Sequence, residues 1–201
     1  LIDRTPEAEQ ERKSAWADSL SIQDRITHGN FVTTLGIRYE DVDYDKIDSD
    51  NAQTLTKFNN SETMIAASTV YSMGGGKSAF FGYSQGYNPT GPSSVAPDES
   101  DNFEVGYRSQ TANSFMEVVA FFVDYDNLNE TCSIASGCGD AGNNQKNAGE
   151  AESKGLEITY KVNNLFPSTQ MKGTGDMSGI RYPLTIAATF QESERTVSIN
   201  D

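Results

Sequence analysis

The stretch Phe31-Val-Thr-Thr-Leu-Gly-Ile-Arg-Tyr-Glu40 decides the fold. Phe31, Leu35, Ile37 and Tyr39 fall on one side of a period-two pattern, and Thr34, Gly36, Arg38 and Glu40 fall on the other. Successive side chains of a strand point to opposite faces, so this alternation describes a β-strand with one apolar and one polar side. Just upstream, Trp16, Leu20, Ile22 and Ile26 share a face opposite Ser19, Ser21, Gln23 and Arg25, with Asp18 and Asp24 interrupting the apolar side. His28-Gly29-Asn30, between the two strands, suits a tight turn.

The same grammar continues downstream. Residues 62–73 and 78–86 are strand-like and are joined by Gly74-Gly75-Gly76-Lys77; residues 102–110 and 114–128 are joined near Thr111-Ala112-Asn113; residues 152–161 and 182–190 follow. Phe81 with Tyr83, Phe103 with Val105 and Tyr107, and Leu156 with Ile158 and Tyr160 form the apolar stripes. The expectation is about eight strands. Short turns alternate with long polar segments at 44–61, 87–100 and 129–151.

Short turns on one rim and long loops on the other is the organisation of an outer-membrane barrel. Hydrocarbon tolerates no open backbone hydrogen bonds, so strands that cross it must pair with neighbours and close. Tyr39, Tyr83, Tyr107, Tyr125 and Tyr160 sit toward strand ends, where interfacial aromatic girdles lie. A soluble antiparallel sandwich or barrel shares the alternation. The 201 residues carry 15 Lys+Arg against 29 Asp+Glu, a net charge of −14, which argues against nucleic acid as a partner. No apolar run approaches the roughly 18 residues of a spanning helix. The longest, Val118-Val-Ala-Phe-Phe-Val123, has the length of a strand. Residues 1–13 are charged, with no apolar stretch behind a basic start, so no signal peptide is read there.

Several motifs look chemical and lose to plainer readings. Gly74-Gly75-Gly76-Lys77-Ser78 ends like a phosphate loop, but Tyr71 stands where its first Gly is needed and a strand follows. Asp41-Val-Asp-Tyr-Asp45 begins like a calcium loop, but Lys46 replaces the turn Gly and Ala52 the closing Glu; a solvated acidic loop is the expectation. Asn59-Asn-Ser61 and Asn129-Glu-Thr131 are glycosylation-like tripeptides that only a eukaryotic secretory context would use. The single His, His28, sits in a turn, so no nucleophile–base constellation forms, no metal site is assigned, and no enzyme is expected. Cys132 and Cys138 are separated by a flexible Ser/Gly-rich stretch, with neither further metal ligands nor a Cys-x-x-Cys motif nearby. They read as a loop disulfide formed in an oxidising compartment, against the alternative of two free buried thiols.

Five stretches carry a family resemblance. They are Gly36-Ile-Arg-Tyr-Glu40; Phe81-Gly-Tyr-Ser-Gln-Gly-Tyr-Asn-Pro-Thr-Gly-Pro92; Glu99-Ser-Asp-Asn-Phe-Glu-Val-Gly-Tyr-Arg108; Val119-Ala-Phe-Phe-Val-Asp-Tyr-Asp-Asn-Leu128; and Lys154-Gly-Leu-Glu157. In this order the chain from Phe31 to Phe190 resembles the barrel of TonB-dependent outer-membrane receptors, nearest the ferric-citrate-type siderophore receptors. The Cys132/Cys138 loop resembles that subgroup too. The resemblance implies an all-β fold, an antiparallel transmembrane β-barrel segment of about eight strands from a larger plugged barrel of about 22. It implies residues 1–13 as an extracellular loop or irregular segment and residues 14–201 as part of the barrel. The plug domain and the TonB-binding segment are not recognised within these residues.

The implied function is import of a ferric siderophore or ferric citrate across the bacterial outer membrane. The partners would be the outer-membrane lipid and the inner-membrane TonB complex, with the iron chelate as cargo and no resident cofactor. Arg108, Gln145, Lys146 and Asn147 are the candidate ligand-binding residues, since an anionic chelate needs cationic or amide groups near the loops. Arg38, Glu40, Glu104 and Arg108 are expected to face the lumen and pair with one another or with the plug. The alternatives are a complete eight-stranded outer-membrane barrel with a structural or adhesive role, and a soluble secreted binding sandwich. An unclosed sheet marks the first reading, a closed eight-strand barrel the second, and two packed sheets the third.

The disulfide reading has a direct test. Alkylation of the denatured protein without reductant should leave Cys132 and Cys138 unmodified, and alkylation after reduction should modify both. A mass spectrum that reduction does not change removes the disulfide.

Overall fold

The computed structural model describes residues 11–48, 54–90, 96–131, 145–147, 149–165 and 182–196. Cys132 and Cys138 lie outside the described residues. Ten strands run through them: β1 (Glu11–His28), β2 (Phe31–Asp48), β3 (Thr54–Gly74), β4 (Lys77–Asn88), β5 (Asp98–Gln110), β6 (Ser114–Asp126), β7 (Asn129–Thr131), β8 (Gln145–Asn147), β9 (Glu150–Val162) and β10 (Leu184–Thr196). Eight of them form one sheet in the order β1-β2-β3-β4-β5-β6-β9-β10, and every pair in it is antiparallel. β1 and β10 do not pair with each other, so the sheet is unclosed, and no second sheet covers it among the described residues. The closed eight-strand barrel and the packed sandwich therefore both fail.

The register holds each face continuous, because residues opposed across an antiparallel pair project to the same side. One row reads Phe81, Val105, Ala120, Leu156 and Phe190 from β4 to β10. A row on the other side reads Gln23, Gly36, Ala66, Ser84 and Asn102 from β1 to β5. The apolar face has no cover. Leu20, Ile22 and Phe190 are each about two-thirds exposed (67%, 65% and 64%), and the buried apolar side chains among the described residues are only Val42 and Val162. Water would oppose this arrangement, since a soluble sheet gains its stability by burying that face; hydrocarbon favours it.

On β2 the apolar stripe from Phe31 to Tyr39 rises about 27 Å along the strand, at about 3.4 Å per residue. With a tilt near 40° that is roughly 21 Å of height, close to the band of about 25 Å on a membrane barrel. Aromatic pairs stand on this face: Phe31 against Tyr71 with ring centroids 4.7 Å apart at its short-turn edge, and Tyr83 against Phe103 at 5.0 Å, the last outward apolar pair of β4 and β5 before Gln85 and Asp101. The Tyr83 hydroxyl donates to Asp101 Oδ1 at 2.6 Å, turning its polar end out of the band.

The turns follow the expected chemistry. Gly29 has φ of 58°, and Gly75 and Gly76 have φ of 62° and 76°, the left-handed conformations that two-residue hairpins need. Several expectations are corrected. The segment 44–61, read as a long loop, is mostly strand, because β2 continues to Asp48 and β3 begins at Thr54. Asp41, Asp43 and Asp45 thus lie on the strand, not in a solvated loop. Beyond the apolar band the outward positions turn polar, so the alternation fades although the backbone ladder persists. Tyr125 does not join the girdle: it opposes Ser100 on the polar face. β6 carries apolar residues on both faces, so its sequence gives no face to Tyr125. β1 also begins at Glu11, within the segment expected to be irregular.

Gly76 is the tightest turn position. A Cβ there would run into the backbone carbonyl of Gln110, whose own amide donates to Gly76 O at 2.8 Å. Gly29 has open space around it. Gly76→Ala should therefore lower stability more than Gly29→Ala, by roughly 2–4 kcal/mol against about 1–2 for the backbone strain alone. Urea unfolding of the full protein in vesicles reads the difference, and equal costs would contradict this packing.

Candidate functional site

The polar face is the side on which ligand chemistry is possible, and it divides into three zones along the strands. Its centre is a shallow depression walled by Gly36, Ala66, Ser68, Gly82 and Ser84, with Asn102 and Glu104 beside it. The small side chains leave the backbone accessible to whatever lies against the wall.

At the short-turn end stands Arg108. Its Nε donates to Glu117 Oε2 at 2.6 Å, and a terminal nitrogen pairs with the same oxygen. Its guanidinium carbon lies 5.4 Å from the Phe80 ring centroid and 6.0 Å from that of Phe115, while Lys161 Nζ lies 5.8 Å from the Phe115 centroid. Phe80 occupies the space over Gly106, where a Cβ would strike the ring. The missing side chain thus seats the ring, and the ring supports the cation. Of the charges expected to face the lumen, Arg38 and Glu40 pair with each other, Arg38 Nε donating to Glu40 Oε2 on its own strand at 3.0 Å, whereas Arg108 takes Glu117, which lies outside that set.

At the long-loop end the ladder splits. β3 and β4 pair only as far as Ala66–Ser84, although both strands continue. Gln85 fills the break, its Oε1 accepting from Ile65 N at 3.1 Å. After β4 comes Pro89, which cannot extend the ladder, and Thr90 lies against the polar face. Asn60 Nδ2 donates to Thr90 O at 3.0 Å, and both residues are buried. Tyr87, which by register stands with Glu99 and Asp126 on the outward side beyond the apolar band, has its hydroxyl buried at this split with no hydrogen-bond partner. Burial, followed by the charges of Glu62 and Glu40, pushes its phenol up to about 12. Burial, followed by Glu62, Asp126 and Asp101, also holds the Glu99 carboxyl above its ordinary value.

Asp98 staples the loops of this rim together. Its Oδ1 accepts from Asn129 N at 2.8 Å and Asn129 Nδ2 at 2.6 Å, and its Oδ2 accepts from Asn88 Nδ2 at 2.9 Å. β7 leaves from this point and pairs with β8, Glu130 opposite Lys146. The 129–151 segment, read as a loop, therefore carries a short ribbon.

The candidate residues do not form one site. Gln145, Lys146 and Asn147 are β8 itself, on the ribbon above β6 and β9. Arg108 is near the opposite end of β5, about 34 Å along the strand from Asp98 at about 3.4 Å per residue. Asp98, Gln85 and Tyr87 carried no local signal, because each acts through partners on other strands or beyond a turn.

An unclosed antiparallel sheet, apolar on its uncovered side and polar on the other, is the wall of a membrane β-barrel. The chain matches the family model of the TonB-dependent receptor-like β-barrel over residues 3–200, and it belongs to that family. It is similar in fold to the unliganded ferric citrate transporter FecA, with a TM-score of 0.74 at 15% identity over 98% of this chain and 29% of that one. The alcaligin outer-membrane receptor FauA of Bordetella pertussis matches with a TM-score of 0.68 at 12% identity, over 92% of this chain and 31% of that one. The ferric yersiniabactin uptake receptor FyuA of Yersinia pestis matches at 0.62 and 18% identity, over 92% of this chain and 28% of that one. The chain thus spans about three-tenths of the length of these structures. No curated protein matches it by sequence. The family and these neighbours are bacterial outer-membrane β-barrel proteins, transporters in kind and not enzymes.

The carboxylates at the split ladder generate a pH dependence. Glu99 binds its proton more tightly folded than unfolded. Its contribution to stability is therefore full below its ordinary value of 4.5 and is lost as pH rises through the higher folded value. Glu99→Gln should raise the urea midpoint at neutral pH, and the gap from wild type should close on acidification. A gap that is the same at both pH values would contradict the raised carboxyl.

Proposed function

We propose that this chain is part of the wall of a TonB-dependent receptor that imports a ferric chelate, of the siderophore or ferric citrate type, across the bacterial outer membrane. The observation that carries the reading is the uncovered apolar face of an unclosed eight-stranded sheet within a TonB-dependent receptor family match. Three neighbours bear the names of ferric citrate, alcaligin and ferric yersiniabactin receptors, which supports a chelate as cargo. The inner-membrane TonB complex would drive release through a segment elsewhere in the full-length protein.

The two groups of candidate residues take different parts. Gln145, Lys146 and Asn147, on the loop ribbon, capture the anionic chelate. Arg108, near the short-turn rim with Glu117, acts on its passage along the wall. No resident cofactor or metal is invoked; iron is cargo.

Full-length receptor in vesicles should bind a ferric chelate, and cells carrying it should accumulate radioactive iron only while TonB is energised. Lys146→Ala should weaken binding by roughly tenfold, the value of a charge-assisted contact. Arg108→Ala should slow uptake and leave binding intact. Binding unchanged in Lys146→Ala rejects the capture assignment, and uptake that ignores TonB rejects the transporter.

A further inference from the structure

We infer that the outward face of β1–β3, within the apolar band, is an interface between two copies of the receptor, closed by Asp24 of each copy on Thr69 of the other. The inference rests on the membrane-wall reading given above and is independent of the cargo. Asp24 lies on the outward side of β1, between Ile26 and Ile22 and opposite Leu35. Among the described residues it is the only carboxylate on the outward face inside the band. It is exposed, and it makes no hydrogen bond or ion pair among the described residues. An ionisable side chain at this depth is costly to leave against lipid, and it marks a site.

The complementary donor stands two strands away on the same face. Thr33 and Thr69 face outward on β2 and β3, opposite each other, with their Oγ1 atoms 3.2 Å apart. One hydroxyl proton is used between them, so the pair keeps one donor for an outside acceptor. Asp24 cannot take it within one copy: two strand spacings separate it from Thr69, about 10 Å. The depths of the two groups match. The outward positions of the band run from Ile26 to Leu20 on β1 and from Tyr71 to Ile65 on β3, and Asp24 and Thr69 are each second from the short-turn side. Thr69 lies one row below Asp24 in register, about 7 Å along the strand. A tilt near 40° moves equal depths by about 8 Å over two strands, which cancels that step.

A donor and an acceptor at one depth, on the strands flanking β2, make this face self-complementary, which is what a two-fold contact requires. An axis along the membrane normal through β2 sets β1 of one copy against β3 of the other and preserves every depth. Each Asp24 then meets the Thr69 hydroxyl of the second copy, and the contact forms twice. Facing sheets pack about 10 Å apart, within reach of these two side chains and the bond between them. Leu35 and Ile37, both exposed, meet on the axis, and Ala67 beside Thr69 leaves room for the incoming carboxylate. The outward positions of the band on β1–β3 include no Lys or Arg, so no cation on this face competes for Asp24.

The test reconstitutes singly labelled full-length receptor in phosphatidylcholine vesicles over a range of protein-to-lipid ratios and counts photobleaching steps. Wild type should show two-step particles whose share grows with density. Asp24→Leu suits lipid and should keep the barrel folded, yet weaken association roughly tenfold, because the symmetry removes two contacts at once. Thr69→Val should match it, and Asp24→Asn, which retains an acceptor, should keep most of the association. Leu35→Cys should cross-link two copies under a membrane-permeant oxidant, whereas Val105→Cys, outward on β5, should not. Wild type that bleaches in single steps at every density overturns the inference. So does association that Asp24→Leu leaves unchanged. Loss in Asp24→Leu with none in Thr69→Val and no Leu35→Cys product overturns it too, and gives Asp24 to a different protein. Ferric-chelate uptake by Asp24→Leu should persist. Failure of uptake by wild type itself would indict the transporter reading, and the step count would still decide the dimer.

Discussion

A strand in hydrocarbon can satisfy its backbone amides only through the strand beside it. Every feature of this sheet follows from that constraint. The strands pair with consecutive neighbours in chain order, broken only where the β7–β8 ribbon stands between β6 and β9. Meandering connectivity gives each strand its partners with the shortest crossings, and the price is that both outer strands, β1 and β10, need further strands to complete them. The uncovered apolar face and the near absence of a buried apolar core among the described residues belong to the same solution, because in a membrane barrel lipid replaces the second layer that a soluble sheet would require.

In a barrel whose outside belongs to lipid, specificity falls to the polar face and the two rims. The short-turn rim is built tightly: Gly29, Gly75 and Gly76 supply left-handed backbone, and Phe80 over Gly106 seats Arg108 against Glu117. The long-loop rim is built differently. There the ladder between β3 and β4 opens, Gln85 replaces a backbone partner, and Asp98 ties three chain segments into one rim. A wall that is regular through the membrane and irregular above it can hold its loops in a defined place without disturbing the barrel. The acidity of the chain is concentrated in part at this rim, where Glu62, Asp101 and Asp126 crowd around Glu99 and, with its burial, raise its carboxyl above the ordinary value.

What the sequence determined by itself was the alternation. A period-two pattern states which side chains share a face, and a Gly-rich pair states where the chain reverses; both are local, so Phe31 to Glu40, the turns at Gly29 and Gly74–Gly76, and the number of strands in the sheet were all legible. The family was legible from five short stretches for the same reason, since they lie on strands and at strand ends. The tertiary structure decided whatever depends on what stands opposite. It carried β2 and β3 beyond the band, where outward residues are polar and the pattern is silent. It placed Tyr125 on the polar face of a strand that is apolar on both sides. It put Arg108 at the rim opposite Gln145, Lys146 and Asn147, because position along a strand is measured from the turns and not from residue type. It also brought Asp24 and Thr69 to one depth on the apolar face, a juxtaposition set by register across three strands, which no single stretch of sequence contains.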